Sequence, residues 1–480
     1  MAFITAYWSL DGIIVLMTFI LTVYFYMTYK FNYWKKRGVL HALPISIFGN
    51  FTDCLLLKRS PGYLLKDIYD QGKGMPYVGF YILDKPFLMI RDRNLIKNVL
   101  IKDFNYFNDR YCTPDITDSL AYTNLFFIKN PTWKLLRTKL TPNFTSRKLK
   151  QTFELMLKCS DNLDTYLESL SLEDNEFRKY GKQIFEIGIL HGYDFLMVLF
   201  IPSLVHFMSA KVYNKKVTDF LRNLFWQTIT ERIKSGEKRN DFIDIFIELK
   251  TSYGDQNSET GFKFDGDHLL AQAASFFAAS FETSSTTVSF TLYELAKHPE
   301  IQDRLRKEIL DALDQTDGKI TYDMVLSLSY LDMVVSEVLR MYPALPFLDR
   351  VTTETYKIPD SDLVLEKNTP ISISLLGVHY DPEYFPNPDE FDPERFTEEN
   401  KRNRSSYVYL PFGDGPHTCI GIRMGLLQVK LGIITILRKY EVIPSEKTLI
   451  PMVIEPTSSM TAPLGGTIYL NVHKINNNGN

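Results

Sequence analysis

An uncharged stretch near the N-terminus constrains the fold of this 480-residue chain more than any other feature. The segment Gly12–Tyr29, GIIVLMTFILTVYFYMTY, carries no charge and is just long enough to span a thin bilayer as a helix. Lys30 and the cluster Lys35–Arg37 follow it, and positive charge on this side predicts that the rest of the chain is cytosolic. A cleaved signal peptide fits less well, because the stretch is too long, no basic segment precedes it and no A-x-A-like site follows. We therefore expect residues 1–29 to form a lumenal N-terminus and a transmembrane signal anchor.

The residues after the anchor are typical of a neck that leads into a folded body. Residues 30–50 combine the basic cluster with Leu43-Pro44 and Phe48-Gly49-Asn50, where proline and glycine favour turns. The net charge of the chain is −3, which argues against a basic field that would attract nucleic acid. Four cysteines are too few for a disulfide framework in a chain of this length, and reduced thiols agree with a cytosolic body.

Apolar periodicity predicts a mainly α body with a small β component. The longest helical pattern covers Asp267–Lys297, and a proline separates it from a second helix over Glu300–Leu313. Another helix is expected over Tyr330–Met341, and the expected strands are short, at Phe87–Ile90 and Ile371–Ser374. The sequence has no βαβ alternation and no Gly-rich nucleotide loop, so we do not expect this chain to bind a dinucleotide itself.

The most distinctive local pattern is FGDGPHTCIG at residues 412–421, which contains Cys419. A sulfur that binds iron has to stand on a tight loop with its orbital directed outward, and Gly413 and Gly415 allow the backbone to turn and to approach a flat ring closely. A helix expected after Cys419 would favour the thiolate through its positive end. The alternative is a free cysteine in a Gly-rich turn, but the pattern F-x-x-G-x-x-x-C-x-G seldom arises by chance. We predict that Cys419 is the axial thiolate ligand of a haem iron.

This loop resembles the haem-binding loop of the cytochrome P-450 family, and other stretches match that family in the expected order. They are the E-x-x-R sequence Glu337–Arg340, the YPALP that follows it, and PERF at Pro393–Phe396. The resemblance covers nearly the whole chain and is closest to insect microsomal members that oxidise xenobiotics and plant toxins. It implies the cytochrome P-450 fold after one transmembrane helix, with residues 51–480 as a single catalytic domain that binds heme b, iron protoporphyrin IX. Within the loop it implies cofactor contacts from Phe412, Gly413, Gly415, His417 and Gly421.

The same resemblance implies a buried ion network. The family has a Glu–Arg–Arg network, here Glu337, Arg340 and Arg395, which is costly to break one member at a time. The E-x-x-R pattern also occurs at Glu399–Arg402, in a polar loop where it carries no such meaning.

A second set of charged residues is implied for the two propionates of haem, which need cationic or hydrogen-bonding partners. The W-x-x-x-R pattern of the family corresponds to Trp133 and Arg137, and Arg350 lies where the family places another propionate arginine. His417 departs from the usual arginine at its position. Histidine can still donate to a propionate, but its charge depends on pH.

The long helix carries the segment AASFETSS at residues 278–285, which resembles the oxygen-activation segment of the family. Dioxygen must receive two protons before its O–O bond breaks, and an acid next to an alcohol, Glu282 and Thr283, can relay them while the pocket stays dry. The alternative for Thr283 is a structural hydrogen bond to the carbonyl one helical turn earlier. The family usually has glycine where Ser280 stands, so a local opening of this helix is a weaker expectation.

These features predict a haem-thiolate monooxygenase that inserts one oxygen atom of dioxygen into lipophilic organic substrates. The implied partners are NADPH-cytochrome P-450 reductase and, optionally, cytochrome b5, at the endoplasmic reticulum membrane with the catalytic domain in the cytosol. Hydroxylation of an endogenous steroid or fatty acid is an alternative activity. The substrate-facing candidates that the resemblance implies, each of which could equally be ordinary core, are Phe107, Phe127, Phe277, Ala279, Leu345 and Leu348.

One departure concerns a whole element. After Leu170 the chain continues directly with Ser171, whereas in the family a core helix normally separates two such stretches. That helix packs against the dioxygen helix, so its loss would uncover an apolar surface at a cost above typical stability margins. A catalytically impaired haem- or ligand-binding protein is therefore a further hypothesis.

Overall fold

Helices predominate over short strands in the computed structural model, which describes residues 5, 7–45, 47–169, 176–254 and 260–475. The α-helices are α1 (Trp8–Lys30), α2 (Tyr33–Lys36), α3 (Thr52–Leu55), α4 (Pro61–Gln71), α5 (Arg93–Lys97), α6 (Ser119–Tyr122), α7 (Thr132–Leu140), α8 (Ser146–Ser169), α9 (Glu176–Ile184), α10 (Ile189–Phe200), α11 (Pro202–Met208), α12 (Lys215–Ser235), α13 (Phe242–Tyr253), α14 (Gly266–Lys297), α15 (Pro299–Asp314), α16 (Tyr322–Ser327), α17 (Ser329–Met341), α18 (Leu375–His379), α19 (Glu398–Asn403) and α20 (Ile422–Leu437). The strands are β1 (Tyr77–Ile82), β2 (Lys85–Ile90), β3 (Phe347–Val351), β4 (Tyr356–Lys357), β5 (Val364–Leu365), β6 (Pro370–Ser374), β7 (Tyr440–Pro444) and β8 (Leu470–Lys474). The mainly α prediction with a small β component is therefore confirmed, and α14, α15, α17, β2 and β6 match the five elements expected from the sequence.

The long helix α14 is the central element of the body. At its start the Asp265 carboxylate accepts a hydrogen bond from the Gly266 N–H at 2.8 Å. It ends at Lys297, and Pro299 begins α15, since proline lacks the N–H that a helix interior needs but fits a first turn. Its sides pack against α6, α17, α20 and β7. The contact with α20 matters most for function, because α20 directly follows residues 412–421, the loop that contains Cys419 and is called the cysteine loop below.

The largest sheet has the strand order β1-β2-β6-β3. Strands β2 and β6 are parallel and pair at Leu88–Ile371 and Met89–Ser372, while β3 is antiparallel to β6. All five residues of β6 are buried, as expected for an inner strand covered on both faces. At one edge β3 carries Leu348 to the cysteine loop, where a Cβ on Gly413 would lie 3.7 Å from the Leu348 side chain.

The first helix and the residues after it behave differently. Among the described residues α1 lies in the one helical stretch that is long and apolar enough to cross a membrane, and most of its side chains are exposed. Trp34, which follows it, is fully buried, and its indole N–H donates to the Phe80 carbonyl at 3.2 Å. The Tyr81 hydroxyl accepts from the Trp34 N–H at 3.0 Å and donates to the Phe31 carbonyl at 2.8 Å. The neck is thus packed on β1 rather than detached from the body.

Helix α8 packs along α20. The Ser160 and Thr435 hydroxyls lie 2.7 Å apart, and the Asp164 carboxylate accepts from Arg438 at 2.6 Å and from Lys439 at 2.7 Å. The junction Leu170–Ser171, where the sequence indicates a missing helix, lies outside the described residues. Helix α8 ends just before it, at Ser169, and α9 begins just after it, at Glu176.

Candidate active site

The cysteine loop adopts a conformation that only its glycines permit. Gly413 and Gly415 have φ values of 68° and 70°, in the left-handed region that other residues rarely adopt. A Cβ on Gly415 would lie 2.0 Å from the Leu100 carbonyl oxygen, which no rearrangement of a flexible side chain could relieve. The loop closes with hydrogen bonds of 2.9 Å from the Gly413 N–H to the Leu410 carbonyl and from the Cys419 N–H to the Phe412 carbonyl. The backbone around Cys419 is therefore tightly fixed.

Cys419 lies three residues before α20, and its side chain is exposed. Its side chain is accessible to a water-sized sphere, yet the surrounding protein is dense enough that burial raises the pKa of its thiol. A hydrogen bond from the Gly421 N–H and the positive charges of Arg137 and Arg110 oppose that rise. These groups favour the thiolate once it has a cation to bind. The predicted contacts Gly413, Gly415 and Gly421 thus act on the sulfur through the shape of the loop and through one N–H.

Three arginines converge around His417, and they carry more positive charge than the neighbouring Asp349 carboxylate can match. Arg350 on β3 is buried; it donates to the Asp349 carbonyl at 2.7 Å, and its Nε has no hydrogen-bond partner among the described residues. Burial, with repulsion from Arg110, lowers the pKa of Arg350 to about 9. Arg110 lies 3.3 Å from the Asp349 carboxylate, and its Nε also lacks a partner in the described parts of the chain. Burial likewise lowers the pKa of Arg137 on α7.

Arg110 is the site residue that the sequence did not single out. It lies in a loop without regular periodicity, so neither spacing nor helical phase marks it. Its guanidinium lies 4.2 Å from the centre of the Phe126 ring, which orients it toward Asp349 and the other arginines. Its position beside the other arginines is visible only in the folded protein, where segments distant in sequence lie together.

The rings of His417 and Trp133 pack against each other next to the arginines, inclined by 41°. Their ring centres are 3.9 Å apart, and the His417 Nε2–H donates to the Asn108 carbonyl at 2.8 Å. Burial, then the charges of Arg110 and Arg350, lowers the pKa of His417 to about 2. The ring is therefore neutral around pH 7, and its charge should not change near that pH. What His417 offers here is a neutral ring with one N–H already in use.

The arginine group fits a ligand with two carboxylates. Arg110 repels both Arg137 and Arg350, Asp349 is the carboxylate paired with Arg110, and the Nε–H groups of Arg110 and Arg350 lack acceptors among the described residues. Two propionates next to a flat ring would supply those acceptors and that charge. The donor set and the fixed cysteine together suit a haem.

The structure places Glu337, Arg340 and Arg395, the three residues of the network that the family resemblance implies, beside one another. Glu337 and Arg340 on α17 are fully buried and form a two-point pair, with N···O distances of 2.7 and 2.8 Å. Arg340 also donates to the His379 carbonyl at 3.0 Å and to the Glu390 carbonyl at 3.3 Å. The Arg395 Nε lies 3.3 Å from the same Glu337 carboxylate. Arg340 is therefore paired within the protein, whereas Arg395 donates through one Nη to the Asn387 carbonyl at 2.8 Å and its Nε has no hydrogen-bond partner among the described residues.

The acid and the alcohol of α14 are placed differently from the expected pair. The Thr283 hydroxyl donates to the Ala279 carbonyl at 2.7 Å, which is the structural alternative for this residue. Burial raises the pKa of Glu282, and an interaction with the Thr286 hydroxyl partly opposes the rise. Ser280 donates to the Phe277 carbonyl at 3.2 Å, and α14 is continuous through this point. The structure thus sets Glu282 beside Thr286 rather than beside Thr283.

Glu282 also lines a cavity of about 940 Å³ along α14. The opposite walls come from the end of α9, the start of α10 and residues 457–468, and Ser285 on this face is exposed. A cavity therefore separates this face of the central helix from the end of α9 and the start of α10.

The substrate candidates divide into two kinds. Phe107 packs edge-on against Tyr356 at 4.8 Å, and Phe127, Leu348 and Phe107 are all buried in one apolar core. Ala279 is exposed although it lies in the middle of α14, so it borders open space inside the body. Phe277 and Leu345 are only partly buried, and Phe277 lies 5.9 Å from Phe281 between ring centres. Ala279, Phe277 and Leu345 are the three that an incoming molecule could touch without displacing the core.

Comparison with a family model matches this chain to "Cytochrome P450" over residues 43–174 and 165–469. The match is interrupted at residues 165–174, which include the Leu170–Ser171 junction. This is the point at which the sequence pattern indicates that a core helix is absent.

Several insect proteins are similar to this chain over nearly their whole length. Cytochrome P450 6k1 of Blattella germanica is 42% identical over 503 aligned positions, which cover 95% of this chain and 96% of that protein. Cytochrome P450 6j1 of Blattella germanica is 40% identical, with 97% and 98% covered, and Cytochrome P450 6B6 of Helicoverpa armigera is 34% identical, with 95% and 97% covered. Since 503 aligned positions exceed the 480 residues of this chain, Cytochrome P450 6k1 has residues where this chain has none. The fold, the cysteine loop and these matches together show that the chain belongs to the cytochrome P450 family of haem-thiolate monooxygenases.

Proposed function

We propose that this monooxygenase oxidises lipophilic foreign compounds such as plant toxins, with Cys419 as the haem ligand and NADPH-cytochrome P450 reductase as the electron donor. The observation that carries the ligand assignment is an exposed sulfur on a fixed loop, beside three arginines that have Asp349 as their neighbouring carboxylate. Bound there, haem would supply the activation of dioxygen. Arg110, Arg137 and Arg350 would hold its propionates, with Trp133 and His417 packing at its edge.

Glu282 is the residue best suited to hold a proton for the reaction. Burial raises its pKa, so that it can stay protonated closer to neutral pH than a solvated carboxyl. Thr283 is its neighbour in sequence, and rotation of the Thr283 hydroxyl away from the Ala279 carbonyl would let it pass a proton on. Thr286 would orient the acid. Substitution of Thr283 by alanine should then raise reductant consumption per product formed.

A lipophilic substrate agrees with the surface near the neck. The side chains of Leu43, Leu190 and Phe207 are each more than four-fifths exposed, and α10 is tied to the neck side by the Tyr193 hydroxyl, which donates to the Leu55 carbonyl at 2.8 Å. Together with the apolar helix α1, these side chains support a place on the cytosolic face of the endoplasmic reticulum membrane. Cytochrome b5 is expected there as an optional second electron donor.

The test is turnover by full-length protein in lipid vesicles with the reductase and NADPH. Lipophilic plant toxins should be oxidised faster than a matched set of steroids and fatty acids. Turnover confined to the steroids or fatty acids would replace the proposed substrate class with an endogenous one. A Cys419→Ser variant, as the control, should lose the thiolate-type carbon monoxide spectrum together with all turnover.

An impaired haem- or ligand-binding protein is the second candidate, and two observations favour it. The family match is interrupted at Leu170–Ser171, and the face of α14 at Glu282 and Ser285 is open to a cavity of about 940 Å³. Sequencing the transcript across this junction would show whether a segment has been skipped. The reduced, carbon monoxide-treated protein then separates an intact thiolate site from a damaged one, because a displaced cysteine gives a different absorption maximum.

A further inference from the structure

His379, at the end of α18, lies between the ion network and the cysteine loop. Its side chain is fully buried, its Nδ1 is 3.1 Å from the Arg340 carbonyl oxygen, and its Nε2 accepts from the Leu410 N–H at 3.0 Å. A carbonyl can only accept and a backbone N–H can only donate. Nδ1 must therefore carry the hydrogen and Nε2 must be bare, which assigns one tautomer to the ring.

The hydrogen bonds continue from His379 to the cysteine. The Leu410 carbonyl accepts from the Gly413 N–H at 2.9 Å, and the Phe412 carbonyl accepts from the Cys419 N–H at 2.9 Å. A short series of contacts thus joins the backbone of Arg340 to the backbone of Cys419.

A parallel contact passes through the aromatic neighbour of the ring. Tyr409 stacks on His379 with ring centres 5.6 Å apart, and its hydroxyl donates to the Ser336 carbonyl on α17 at 3.0 Å. Residues 409–410, which lead into the cysteine loop, are therefore held to α17 at two points.

Loss of the hydrogen bonds of His379 would destabilise the folded protein. Both ring nitrogens are used, and burial together with the charge of Arg340 lowers the pKa of His379 to about 3, so the ring stays neutral. Loss of the ring would leave the Leu410 N–H without its buried acceptor and the Arg340 carbonyl without its buried donor.

We propose that His379 is a positioning residue that holds the entrance of the cysteine loop on the Glu337–Arg340 network and thereby fixes the Cys419 sulfur for iron ligation. Its contribution acts through Leu410 and Gly413 and involves no contact with the cofactor. The inference rests on the proposed assignment of Cys419 as the ligand, which the spectrum of the wild-type protein tests separately.

The experiment compares four variants of the full chain loaded with haem. His379→Phe keeps the ring and its stacking but removes both hydrogen bonds, His379→Gln can again accept from the Leu410 N–H, and His379→Asn can again donate only to the Arg340 carbonyl. Tyr409→Phe is the matched control, because it removes only the hydroxyl bond to Ser336. The readout is the ratio of thiolate-type to displaced-thiolate carbon monoxide spectra in the folded, haem-containing fraction, with the haem reduction potential as a second measurement.

His379→Phe should lower that ratio about fivefold, the effect of about one lost hydrogen bond. His379→Gln should restore most of it, His379→Asn should not, and Tyr409→Phe should change it less than His379→Phe. The proposal is overturned by an unchanged ratio in His379→Phe or by equal rescue from glutamine and asparagine. If His379→Phe does not fold, the glutamine and asparagine variants decide alone. A wild-type protein without a thiolate-type band would instead overturn the assignment of Cys419.

Discussion

Two groups of arginines flank the cysteine loop, and they differ in how their charge is balanced. Arg340 and Arg395 share the Glu337 carboxylate, and the remaining donors of Arg340 reach backbone carbonyls. Arg110 lies 3.3 Å from the Asp349 carboxylate, whereas Arg350 donates to a backbone carbonyl and has no carboxylate partner among the described residues. The Nε atoms of Arg110, Arg350 and Arg395 all lack a hydrogen-bond partner in the described chain, so the difference lies in the pairing: Arg340 has a two-point carboxylate partner and Arg350 has none.

This difference predicts which arginines stabilise the scaffold and which would bind the cofactor. A buried pair that satisfies itself is strongly destabilised when one partner is removed. A buried cation without a partner already destabilises the protein, so its removal can relieve the fold while it weakens the ligand. The sign of the change in the free energy of unfolding, measured on the haem-free protein, therefore distinguishes a scaffold arginine from a ligand-binding one.

Arg340→Ala should have the largest effect. It leaves the Glu337 carboxylate buried without its two-point partner, at a cost of about 3–5 kcal/mol in the free energy of unfolding. We expect almost no retained haem, measured as the haem-to-protein ratio after purification. Normal haem content in this variant would contradict the role of the network.

Arg350→Met should act in the opposite direction on the protein without haem. The methionine fills a similar volume without a buried charge, so the free energy of unfolding should be unchanged or rise by about 1–2 kcal/mol. Haem should dissociate about tenfold faster, because one charge-assisted partner is lost. Urea unfolding and haem transfer to an acceptor protein measure the two quantities. A loss of stability like that of Arg340→Ala would erase the distinction between the groups.

Acid should destabilise the protein through His379, which contacts the Glu337–Arg340 network. In the folded state this ring stays neutral down to about pH 3, whereas in the unfolded chain it binds a proton below about pH 6.5. The unfolded state thus holds more protons in this window, and stability falls as the pH falls, by up to about 1.4 kcal/mol per pH unit for this group. His379→Gln should flatten the slope between pH 6.5 and 4 in urea unfolding. An unaltered slope would mean that other groups cause the acid sensitivity.

Arg402→Ala should have the smallest effect, and it serves as the matched control for Arg340→Ala. Glu399 and Arg402 repeat the E-x-x-R spacing on α19, but both side chains are exposed. We expect a change within about 0.5 kcal/mol and normal haem content. A larger change would show that the spacing itself, rather than burial, carries the stability.

The parts of the fold that depend on local chemistry were predictable from the sequence. Helix α14 and its boundary with α15 follow from periodicity and from Pro299, and Glu337 and Arg340 meet because residues three apart share a helical face. The parallel pairing of β2 with β6 was not predictable, since it joins distant segments over only two residue pairs.

In the candidate site too, only residues marked by local sequence or by the family resemblance were predictable. Cys419 and its glycines could be recognised because the turn itself demands them, and Trp133 and Arg350 could be located through the family resemblance. Arg110 and His379 escaped notice, because each acts through partners far away in the sequence. Thr286 was missed for another reason: the acid of α14 interacts one helical turn onward, while the sequence motif draws attention to the adjacent residue.

The buried tryptophan after α1 determines where a soluble form of the enzyme can begin. Trp34 fills the space above Gly79, where even a Cβ would lie 2.5 Å from the indole, and it shares the Tyr81 hydroxyl with Phe31. A deletion that ends at Lys30 would remove the apolar helix and leave this packing whole. A deletion that passes Trp34 would open the hydrophobic interior beside β1, and the shortened protein would be expected to aggregate rather than dissolve.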